Sequence, residues 1–102
     1  MKLAKLMPFL AVEIEEGLLH LGETELASSV SELEVISRCM CDSKNCGTFY
    51  TMDKSRWSGK KLRQVVPMVN GLYAIDIFEE EIACIEIMDR ENVAKKLIEL
   101  YP

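Results

Sequence analysis

Long hydrophobic runs, glycine-rich loops and positive charge are what this sequence lacks, and each absence narrows what it can be. The longest apolar-leaning stretch, Leu6–Val12, is seven residues and ends at Glu13, far short of the roughly 20 residues a membrane-spanning helix needs. No phosphate-binding glycine loop is present, because Gly59-Lys60-Lys61 has no upstream glycine at P-loop spacing. The formal net charge of −5 argues against a general affinity for nucleic acid. There is one histidine, so no histidine-rich metal site can form. Four cysteines occur without a second closely spaced pair, which excludes the common zinc-finger patterns.

The 102 residues suffice for one hydrophobic core, and the 49% hydrophobic content is that of a folded chain. A single α+β domain over residues 1–102 is expected. The opening MKLAKLMPFLAVEIEE has lysines ahead of apolar residues, as a signal peptide does. Its apolar part is too short, and no A-x-A site follows. The reading is a cytoplasmic protein, where thiols stay reduced.

The centre of the chain carries its chemistry. Arg38–Tyr50, RCMCDSKNCGTFY, holds Cys39, Cys41 and Cys46. Asp42-Ser43-Lys44-Asn45 are all turn formers and suit a four-residue hairpin loop. Cys41 and Cys46 then face each other, with Cβ atoms roughly 4.5–5.5 Å apart. Alternation puts Cys39 on their side, about 6.5 Å along the strand. Core filling with no bound cofactor is the expectation for these thiols, with a zinc site or redox chemistry as the alternatives. Zinc would need a fourth ligand, for which Asp42, His20 and Cys84 are the candidates.

The flanking patterns give the architecture. Met7, Leu10, Ile14, Leu18 and Leu21 recur at helical spacing, with Pro8 at a helix start and Gly22 at its end. Gly17 within this helix costs about 1 kcal/mol relative to alanine. Glu23–Val30 reads as a second helix. Glu34–Cys41 and Gly47–Met52 read as a hairpin covered on both sides, with Val35, Cys39 and Tyr50 on one face and Ile36, Met40 and Phe49 on the other. Leu62–Val66, Leu72–Phe78 and Ile82–Met88 supply three more strands, with turns at Asn70-Gly71 and Glu79–Glu81. Asp89 is the expected N-cap of a last helix, Arg90–Leu100. The sum is two N-terminal helices, an antiparallel meander of about five strands, and one C-terminal helix.

Other residues that carry chemistry are more ordinary. His20 with Glu13 and Glu16 reads as a surface histidine at a helix end. Lys54, Arg56, Lys60, Lys61 and Arg63 surround Trp57 in what reads as an exposed basic loop, 53–61. Asp76 and Glu86 fall on polar faces of adjacent strands, where solvent contact is the ordinary role and acid–base work the rarer one.

The string Arg38-Cys39-x-Cys41 followed by Cys46-x-Thr48-Phe49-Tyr50-Thr51 resembles a group of short bacterial proteins. The resemblance extends to a leucine-rich N-terminal helix and an ending like Ile82-x-x-Ile85-Glu86-Ile87. The group has no established activity, so the resemblance implies a bacterial setting and no function. The functional expectation is a small cytoplasmic binding or interaction domain. Its partner would be a protein or a small molecule, with no membrane involved and a homodimer among the arrangements to consider. The first alternative is a zinc-binding or thiol-redox protein using Cys39, Cys41 and Cys46. The second is an enzyme whose site the sequence does not locate.

Overall fold

The computed structural model describes all 102 residues. Five helices and a five-strand antiparallel sheet make up the expected α+β class. The helices are α1 (Leu3–Leu6), α2 (Pro8–His20), α3 (Thr24–Ser29), α4 (Lys54–Trp57) and α5 (Glu91–Leu100). The strands are β1 (Ser37–Arg38), β2 (Phe49–Tyr50), β3 (Arg63–Val65), β4 (Leu72–Phe78) and β5 (Glu81–Ile87). No helix is long and apolar enough to cross a membrane.

The sheet order is β1-β2-β5-β4-β3. The meander therefore runs through β3, β4 and β5, and the β1–β2 hairpin is added to β5 from the other side. The pairs Phe49↔Ile85 and Ile75↔Ile85 place these three residues on one face. On that face Phe49, Ile75 and Ile85 join Leu10, Ile14, Leu18, Val93 and Leu97 in one cluster of 20 buried residues. The pairs Tyr50↔Cys84, Asp76↔Cys84 and Gln64↔Asp76 define the second face, whose residues lie outside that cluster.

Each face of the hairpin carries a buried residue, Phe49 on one and Val35 on the other, while Met40 is 69% exposed and Ile36 is exposed. Its strands are also shorter than the sequence suggests. Beyond Cys39, whose amide donates to Thr48 O at 2.9 Å, the ladder opens. Gly47 instead donates to Ile87 O at 2.9 Å, and Cys46 bridges to Met88. The Gly47 amide is taken by the end of β5 and the Cys46 amide by Ser43 O at 3.4 Å, so no ladder bond joins Cys46 to Cys41.

Three local expectations give way to longer-range contacts. Asp89 is not the N-cap of α5. Its amide donates to Asn45 O, its φ is +61°, and Arg90 occupies the cap position with no side-chain cap bond. The 53–61 segment is not an open loop. Asp53 accepts from the Ser55 amide at 2.9 Å and starts α4. Trp57 is half-buried, with Nε1 donating to Met52 O at 3.2 Å and its ring 5.8 Å from that of Tyr50. The basic residues of this region are partly committed: Arg56 pairs with Glu81, and Arg63 with both Glu23 and Glu80.

Gly17 has a packing reason that its helix propensity hides. A Cβ there would sit 2.7 Å from Pro67 Cβ and 3.1 Å from Val69 Cγ2. The loop 66–71 lies directly on α2 at this point. Alanine would gain about 1 kcal/mol of helix propensity. Displacing Pro67 should cost about 1–3 kcal/mol, as overpacking does. Gly17→Ala should therefore leave stability unchanged or lower it, by up to about 2 kcal/mol, in a urea titration. A higher midpoint for the variant would show that the loop yields freely.

Candidate metal centre

The three sulfurs that the spacing brings to one end of the hairpin do converge. One ligand atom from each of Cys39, Cys41 and Cys46 lies within 4.8 Å of the others. Three atoms so placed share a point within about 2.8 Å of all of them, close to the roughly 2.3 Å of a zinc–sulfur bond. The convergence does not come from a continuous hairpin ladder. Cys39 is placed by its bond to Thr48, and Cys46 by its bridge to Met88 and a turn from Ser43. The intervening loop then brings Cys41 back toward both.

Cys39 shares a face with Ser37, and so with Tyr50 and Cys84, by alternation from the Ser37↔Tyr50 pair. The cluster thus stands on the sheet face of Tyr50 and Cys84, outside the main core cluster. Cys39 and Cys46 are half-buried and Cys41 is exposed. No further histidine, cysteine, aspartate or glutamate joins the group. Cys84 is buried in β5 across from Tyr50, and His20 lies at the end of α2. Neither these two nor Asp42, the three candidates for a fourth ligand, is part of the converging set.

The environments of the thiols differ. The Ser43 backbone amide, and the thiols of Cys46 and Cys39, hold Cys41 below the ordinary thiol range. Burial pushes Cys39 above it. Burial does the same to Cys84, with the charges of Asp76 and Glu86 adding to it. Tyr50 is pushed up to about 12, by burial first and then by the thiols of Cys39 and Cys84. Lys54 Nζ lies 5.2 Å above the Tyr50 ring. Cys41 is therefore readier to ionise than Cys39 or Cys84, and it is the most accessible of the four cysteines.

Along the same face lies a second polar group. Gln64 Nε2 donates to Asp76 Oδ1 at 2.6 Å and approaches Glu86 Oε2 at 3.3 Å. The sequence marked the two carboxylates but not Gln64, whose role depends on β3 pairing with β4. Asp76 is 94% buried, not solvent-facing. A hydrogen bond with Asp76, then burial, then the Asp76 charge push Glu86 up to about 7.

The folded chain therefore keeps a proton on Glu86 that the unfolded chain, at an ordinary 4.5, gives up earlier. The stabilisation is complete below the unfolded value and is lost as pH rises through about 7. Glu86→Gln copies the protonated form. It should flatten the fall in stability between pH 5 and pH 8. At pH 8 it should exceed the parent by about 1 kcal/mol, a figure reduced for solvent screening at a half-exposed side chain. Urea titrations at the two pH values check this, and equal slopes would show that the proton is not shared.

A concavity of about 430 Å³ lies between α2 and loop 66–71, lined by Glu13, Glu16, His20, Leu21, Met68 and Asn70 among others. Its lining is mostly exposed, and Glu13 is occupied by Arg90 at 2.9 Å. Gly17 is its only buried lining residue, and it has no buried polar side chain. No protein-family model, curated protein or solved structure matches this chain.

Proposed function

We propose that the chain is a small binding domain whose ligand is a thiophilic metal ion, zinc foremost, held by Cys39, Cys41 and Cys46. The observation that carries this reading is the mutual approach of the three sulfurs to within 4.8 Å. Thiolates at such range suit zinc, and a half-exposed position at a loop lets the ion enter. The reading takes up the first alternative offered by the sequence in place of the cofactor-free binding domain expected from it, and requires no catalytic turnover. It belongs with a reducing compartment, the cytoplasm, where the thiols are free to ligate. It extends to bacterial proteins sharing the RCxC-x4-CxTFYT centre, since that string contains all three ligands.

Elemental analysis of protein purified without chelator tests the proposal. About one zinc per chain is expected, as a single site requires. Cys39→Ser and Cys46→Ser should each abolish it while circular dichroism stays unchanged. Metal-free protein that takes up no zinc on titration would overturn the reading. Thiol redox chemistry is the second reading, and the ionisable, exposed Cys41 beside two other thiols favours it. It requires a disulfide among these three on mild oxidation, which mass spectrometry after alkylation would locate.

A further inference from the structure

Resting on this metal-binding reading, we infer that the bound ion keeps one coordination position open, and that this position takes an exogenous thiolate. Three of the chain's own ligand atoms converge, and no fourth histidine, cysteine, aspartate or glutamate stands with them. Structural zinc sites close with four protein ligands, whereas sites that bind a further molecule have three. The open side belongs to solvent. Cys41 is exposed, and the loop Asp42–Asn45 beyond it is exposed along its whole length.

The chemistry of the set selects the incoming donor. Three sulfurs make the ion prefer another soft ligand over water or carboxylate. A small thiol, or a cysteine of an unstructured peptide, matches that preference. On binding, the zinc–water bond breaks and a zinc–sulfur bond forms. The S–H proton passes to solvent, and no electron is transferred.

Cobalt(II) in the full chain reports the donor set directly, because its visible bands follow coordination number and its ultraviolet charge-transfer intensity follows the number of sulfurs. The cobalt-loaded protein should show a tetrahedral visible spectrum. Adding 2-mercaptoethanol should raise the charge-transfer absorption by about one third, the step from three thiolates to four. Asp42→Asn, a change at an exposed position, should leave both the spectrum and this response intact. An unchanged spectrum on adding thiol would mean a fourth donor from the chain and would overturn the inference alone. So would a response that appears only in Asp42→Asn, with the carboxylate then identified as that donor. Removal of cobalt from the protein by the thiol would also overturn it. Failure of cobalt to bind at all would overturn the metal-binding reading as well.

Discussion

Phe49→Ala should cost about 3–5 kcal/mol, the usual loss for a phenylalanine removed from a packed core. Phe49 is fully buried and is one of only two residues in β2. It pairs with Arg38 on one side and with Ile85 on the other, so it sits where the hairpin meets the rest of the sheet. The loss is a large fraction of the roughly 5–15 kcal/mol that holds a domain of this kind together. The variant should also lose affinity for zinc at temperatures where it is still mostly folded, because Cys39 and Cys46 are placed by bonds on either side of this residue. Denaturant titration with and without metal measures both effects. A loss under about 1 kcal/mol would show that the hairpin does not depend on its aromatic anchor.

Leu97→Ala should cost about 2–5 kcal/mol. Leu97 is fully buried in α5, and with Val93 and Ala94 it forms the apolar stripe turned to the core. The helix is also tied at its far end, where the Tyr101 hydroxyl donates to Val35 O at 2.7 Å and Arg38 Nε donates to Tyr101 O. Truncating Leu97 leaves a cavity that these polar ties prevent from collapsing. Ile98, on the same helix but 43% exposed, is the control, and its change to alanine should cost under about 1 kcal/mol. Equal losses at the two positions would contradict the burial of the helix.

What could be read from sequence was what local pattern determines. β4 runs over the residues that alternation marks, and α2 begins at Pro8 as its ring requires. The Cys-x-Cys-x4-Cys spacing was enough to foresee three sulfurs at one place. What could not be read was set by partners distant in sequence. The sheet order depends on β2 meeting β5 across more than thirty residues. Gly47 is drawn to Ile87, which opens the ladder that turn formers alone would have kept closed. Trp57 looks like the tip of a basic loop until Tyr50 is seen beneath it. Gly17 reads as a flaw in a helix until Pro67 is seen against it.

The ladder between β2 and β5 is two residue pairs long, while β4 and β5 share a ladder along their full length. Beyond those two pairs the junction is carried on by the Cys46–Met88 bridge, by the Gly47 and Thr51 amides, which donate to Ile87 O and Ala83 O, and by Thr48 Oγ1 and Thr51 Oγ1, which bond to Ile87 and Ile82. Cys46 therefore stands at the junction itself, while Cys39 and Cys41 lie on the β1 side of the hairpin. On the proposed reading, a bound ion would tie the β1 arm to the end of β5 through Cys46. Metal should slow amide hydrogen exchange within 39–46 and at Gly47 and Asp89, whose amides bond across that junction, and at β4 much less. Stabilisation by the ion would then reach the sheet through one residue.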